Sequence, residues 1–172
     1  MKKFFLLFLA FSSIVLPQTL MNTVNLPSGT FWSSGYGLVY ENSKYWLSSS
    51  NSTSGRGIIY AVDDTGVLVD TITMNYPTIR ESQGLAFDGN YFWYVERKIA
   101  RCDLFKIDPS GNVLDSITST QLFGGSQYLG GAAWDGTGLW ISVYSPDANV
   151  ALYKINTTTK QVVDTINFLN FA

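Results

Sequence analysis

One spacing constrains this chain more than any other feature. Gly37-Leu38-Val39-Tyr40, Gly84-Leu85-Ala86-Phe87 and Gly131-Ala132-Ala133-Trp134 stand 47 residues apart in both steps, and Trp46, Trp93 and Trp140 repeat that interval. A fixed period of this length marks a chain built from stacked units, none of which can bury its own apolar face.

Each copy continues with three further apolar stretches. The second is Tyr45-Trp46-Leu47, Tyr91-Phe92-Trp93-Tyr94-Val95 and Leu139-Trp140-Ile141. The third is Ile59-Tyr60-Ala61-Val62, Leu104-Phe105-Lys106-Ile107 and Leu152-Tyr153-Lys154-Ile155. The fourth runs Val67–Ile72, Val113–Ile117 and Val162–Ile166. All are short and rich in β-branched and aromatic residues, which predicts strands. Asp88-Gly89-Asn90, Asp135-Gly136-Thr137-Gly138, Asp64-Thr65-Gly66 and Pro109-Ser110-Gly111-Asn112 separate them. Such groups supply the positive φ angles of tight hairpins. No stretch after the N-terminal segment has helical period, so no helix is expected there.

Four strands in 47 residues match one blade of a β-propeller. The expectation is an all-β chain with three four-stranded blades, at about 37–72, 84–117 and 131–168. The tryptophan of each second strand should pack between blades. Thr23-Val24-Asn25-Leu26 precedes Gly37 much as Ile72 precedes Gly84, so it reads as an orphan fourth strand. Three blades make about half of a six-bladed ring and leave aromatic faces bare at both ends, where interfaces form. Either further blades lie downstream, which the orphan strand favours, or two chains pair as a homodimer, three blades plus three.

The N-terminus has a different character. Lys2 and Lys3 precede a run from Phe4 to Val15 that only Ser12 and Ser13 interrupt. This predicts a secretory signal over residues 1–18, too short for a membrane span, with residues 19–172 as the propeller. The expected location is secreted, periplasmic or extracellular, without stable membrane insertion. Removing Lys2 and Lys3 from eleven basic residues leaves nine against thirteen acidic ones, a net of −4. No basic patch suggests nucleic acid.

Much catalytic chemistry is excluded at once. The chain has no histidine, which removes Ser-His-Asp triads and imidazole metal sites. The single cysteine, Cys102, cannot form an internal disulfide and reads as a small apolar filler. Asp63, Asp64, Asp88 and Asp135 fit turns, and their spacing matches no EF-hand loop. No metal and no cofactor is expected.

The run Gly84-Leu85-Ala86-Phe87-Asp88-Gly89-Asn90-Tyr91-Phe92-Trp93, followed by Leu104–Leu114, resembles the repeat of secreted bacterial propellers of the six-bladed, NHL-like type. That resemblance spans residues 23–168 and implies the fold, not an activity. A narrower resemblance is to propeller-type glutaminyl cyclotransferases, carried by Ser82-Gln83-Gly84-Leu85 and Glu96. It implies Glu96 as a proton shuttle. Ser82 stands where that family has threonine, and the residues after Glu96 depart from its pattern.

Ligands of such rings usually meet the loops of one rim. The loops before each first strand and after each second strand supply Tyr36, Arg80, Gln83, Glu96, Arg97, Tyr128 and Tyr144 as candidate binding residues. The expected function is a non-catalytic extracellular binding or scaffold module for a small molecule, peptide or glycan. The alternative is an enzyme of the cyclotransferase or lyase kind using Glu96.

Overall fold

Strand propensity and turn chemistry give every repeat the same local solution, an antiparallel four-stranded sheet. The computed structural model describes residues 37–51, 56–76, 81–97, 102–145 and 148–168. The first blade holds β1 (Gly37–Glu41), β2 (Lys44–Asn51), β3 (Arg56–Val62) and β4 (Leu68–Thr73). The second holds β5 (Glu81–Phe87), β6 (Phe92–Arg97), β7 (Cys102–Ile107) and β8 (Val113–Thr118). The third holds β9 (Tyr128–Trp134), β10 (Leu139–Ser145), β11 (Ala148–Asn156) and β12 (Gln161–Asn167). Strands pair in sequence order within each blade, and the first strand of the middle blade, β5, abuts both β1 and β9. The chain is thus a partial propeller of three blades. The orphan strand expected at 23–26 and the signal at 1–18 lie outside the described residues.

The repeated glycine is required by this abutment. A Cβ on Gly37 would lie 2.3 Å from the Leu85 backbone nitrogen, and one on Gly84 would lie 2.7 Å from the Gly130 carbonyl oxygen. No side chain fits there, so inner strands can touch only through glycine. The Asp-Gly turns work differently. Asp88 Oδ1 accepts the N–H groups of Asn90 and Tyr91 at 3.0 and 2.8 Å while Gly89 turns the chain at φ +98°.

Each blade buries little alone; the core lies in the seams. The seam between blades one and two collects Ile59, Ile72 and Met74 with Leu85, Phe92, Tyr94, Phe105 and Ile107. The next seam collects Ala86, Trp93, Val95 and Leu104 with Leu129, Leu139, Ile141 and Ile155. Strand β6 feeds both by alternation, which is why it reads as an unbroken apolar run. Trp93 is buried, while Trp46 and Trp140 are half-buried. Trp46 meets Phe92 of the next blade at a ring separation of 5.0 Å. A polar tie also crosses a seam: Lys160 Nζ donates to Asp115 Oδ1 at 2.6 Å and to the Ser116 carbonyl at 3.2 Å.

One expectation is corrected. A helix, α1 (Ser119–Phe123), follows β8. The Thr118 side chain accepts from the Gln121 N–H at 3.1 Å, and the Gln121 side chain accepts from the Thr118 N–H at 2.8 Å. This capping box satisfies the free donors of the first turn, and Gly124 at φ +69° ends it. Five residues are too few to display a period. Among the described residues, no helix is long and apolar enough to cross a membrane.

Candidate functional site

Hairpin pairing decides which residues share a rim. In blade two, Glu81 pairs with Arg97 and Arg97 with Cys102. In blade three, Tyr144 pairs with Tyr128 and Val143 with Leu129. All lie at the end of the sheets away from the Asp-Gly turns. Between them opens a cleft of about 510 Å³ at the seam of blades two and three, lined by Gln83, Arg97, Cys102, Tyr128, Leu129, Gly130, Ser142, Val143 and Tyr144.

Gln83 reaches the cleft through an irregularity. The β5–β6 register shifts between Ser82 and Gly84, leaving Gln83 as the extra residue. Such a bulge re-aims a side chain that a regular pleat would send elsewhere. Arg97 ends β6, and its guanidinium lies 3.5 Å from the Glu81 carboxylate, both about half exposed. A pair so placed contributes about 0–1 kcal/mol, so an incoming anion can replace Glu81 at small cost. Tyr128 and Tyr144 are exposed to 38% and 58%, offering two adjacent rings with polar tips. The floor is apolar, with Leu129, Val143 and Cys102. The arrangement suits a ligand with a flat apolar face and an anionic or hydroxyl-rich edge.

Glu96 is not part of this cleft. It neighbours Arg97 on the strand and so projects to the opposite face of the sheet, the face of Tyr94 and Phe105. There it is fully buried, opposite Ser82 on one side and Asp103 on the other. Ser48, Ser82 and Asp103 are buried with it along the seam of blades one and two. The Ser82 hydroxyl bonds that of Ser48, which accepts from the Gly37 N–H at 3.1 Å. Tyr94 donates its hydroxyl to the Ser49 carbonyl at 2.8 Å. Burial pushes the Tyr94 phenol well above its ordinary value; the Ser82 hydrogen bond opposes this and the Glu96 charge adds to it.

The structure therefore brings Gln83, Arg97, Tyr128 and Tyr144 to one cleft and sets Glu96 apart. Tyr36 and Arg80 lie outside the described residues. Ser142, Val143, Leu129, Gly130 and Cys102 complete the lining, and none of them was a candidate binding residue in the sequence. Pairing in blade three was the available signal, since partners of Tyr128 and Leu129 on β10 must share their rim. A second groove of about 330 Å³ runs along the inner strands past Tyr40, Glu41, Phe87 and Trp134. Among the described residues no group of three or more His, Cys, Asp or Glu side chains is placed to hold a metal ion.

Comparisons with known proteins agree on architecture. Residues 98–172 match a family described as Family of unknown function (DUF6454). No curated protein matches the chain. Among solved structures, a propeller chain in the crystal structure of the nidogen/laminin complex aligns with TM-score 0.54 and 14% identity, covering 77% of this chain and 47% of that one. The Dos1 propeller aligns with TM-score 0.50 and 13% identity, covering 77% and 37%. A GH43 glycoside hydrolase with an engineered active site aligns with TM-score 0.53 and 13% identity, covering 81% and 29%. At such identities the likeness carries the fold alone, and the fold is that of a β-propeller. This chain spans less than half the length of each.

Proposed function

We propose that the chain is a secreted, non-catalytic binding module whose ligand sits in the cleft between its second and third blades. The observation that carries this is the gathering of Gln83, Arg97, Tyr128 and Tyr144 around one rim cleft over an apolar floor. A cation, an amide and two exposed phenols supply recognition groups. The ligand class that fits is an acidic sugar: its ring face stacks on tyrosine and its carboxylate replaces Glu81 on Arg97. The N-terminal segment of residues 1–18 supports export.

Calorimetric titration with acidic and neutral oligosaccharides tests this. Acidic chains should bind, and Arg97→Ala and Tyr144→Ala should each weaken binding at least tenfold. Failure of the wild-type chain to bind any of them would overturn the ligand class. The buried Glu96 favours a second reading, a propeller enzyme acting on N-terminal glutaminyl peptides. Turnover of such peptides that disappears in Glu96→Gln would replace the binding module with that enzyme.

A further inference from the structure

We infer that a second copy of this chain completes the ring, with the free face of blade three packed on the free face of its partner's blade one, twice around a two-fold axis. The assembly does not depend on the ligand proposed above.

The template is inside the chain. Blade two presents Ala86, Trp93, Val95, Leu104 and Ile117 to blade three, each no more than 1% exposed. The residues at the matching positions of blade three include Ala133, Trp140, Leu152 and Ile166, and these are half-buried or exposed, Ile166 to 46%. On its other side blade two presents Leu85, Phe92, Tyr94, Phe105 and Ile107 to blade one, all 2% exposed or less. The matching residues of blade one are Leu38, Tyr45, Leu47, Tyr60 and Val62; Leu38 is 61% exposed, the next three are half-buried and Val62 is buried. Each end of the wedge thus carries one half of the interface that the chain makes twice within itself.

The sharpest sign is Gly131. At Gly37 and Gly84 a Cβ would collide with the backbone of the next blade, at 2.3 and 2.7 Å. At Gly131 a Cβ would meet only the Ser142 hydroxyl oxygen, at 3.8 Å. The residue keeps the form that a following inner strand demands, yet no strand among the described residues follows. The first strand of a partner's blade one supplies it. The two faces differ, so the contact is heterologous, and a ring rather than a filament results when two wedges close the circle.

Light scattering on the purified chain tests the assembly. It should give twice the monomer mass at micromolar concentration. A monomer would show that the faces await other occupants, such as residues 19–36 or further blades, and overturns the proposal; so does any assembly of three or more copies. Gly131→Ala has room within one chain, so it should keep the circular dichroism spectrum and run as a monomer. Leu38→Glu, at an exposed position, should do the same. A dimer that survives both substitutions rules out this interface. Mixing the two variants leaves one intact contact, between the Leu38→Glu copy's blade three and the Gly131→Ala copy's blade one. Cross-linking should therefore capture the mixed pair and neither variant with itself. No mixed pair would mean that like faces meet like, which excludes the head-to-tail ring.

Discussion

Trp93 donates its indole N–H to the Asp88 carboxylate at 2.9 Å, and the same carboxylate caps the turn leading into β6. Blade three repeats the relationship, with Trp140 and Asp135 at 2.8 Å. One aspartate therefore shapes the hairpin and sets the orientation of the ring that fills the seam. Asp88→Ala should cost about 1.5–3 kcal/mol, the range for hydrogen bonds to a charged acceptor, measured by urea unfolding. A loss below about 0.5 kcal/mol would contradict the double role.

Seam packing predicts an asymmetry between blades. Leu104 is buried between blades two and three, and its counterpart Leu152 is half-buried on the free face. Leu104→Ala should cost about 2–5 kcal/mol, because a cavity opens in a closed core. In the monomer, Leu152→Ala should cost less than half of that. Equal losses would place the core elsewhere.

Glycine substitution separates contact from chain flexibility. A Cβ at Gly84 would lie 2.7 Å from the Gly130 carbonyl oxygen and 2.9 Å from the Ala132 nitrogen, and both are backbone atoms that cannot rotate away. Gly84→Ala should destabilise by about 1–3 kcal/mol or more through overpacking. An unchanged midpoint of unfolding would mean that β5 and β9 are further apart than described.

The turns predict acid sensitivity. Asp63 is held below its usual range by the Thr65 hydroxyl, Asp108 by the Asn112 side chain, and Asp135 by Lys154 and then by Trp140. Each folded value is lower than the unfolded one, so the contribution is complete above about pH 4 and drains away as pH falls toward the folded values. Stability in urea should be flat from about pH 7 to 5 on account of these groups and fall below about 4. Replacing all three with Asn should flatten the acid limb. An unchanged slope would show that other carboxylates govern it.

The fold was legible because its demands fall on single residues. Gly84 marks where backbones touch, and Trp93 marks a seam; both recur at the period of the blade. The site was less legible because it depends on parity and on a bulge. Glu96 and Arg97 are sequence neighbours, and the pleat alone sends them to opposite seams. Gln83 enters the cleft only through a register shift that no composition announces. The helix escaped for a related reason: Thr118 and Gln121 spell a capping box, but no periodic apolar run follows to give it weight.

The alternation along β6 has a last consequence, for how such a chain can grow. A blade owns no interior; it brings half of one to each side. Duplicating a blade therefore inserts a complete new seam without disturbing the old ones, provided the copied halves match. Deleting the middle blade would bring together the half-seam of blade one that fits Leu85 and Phe105 and the half-seam of blade three that fits Trp93 and Leu104. One is a half that a following blade covers and the other a half that a preceding blade covers, the same two kinds that mate in the intact order, so the chain can shorten or lengthen by whole repeats while every fractional repeat is penalised.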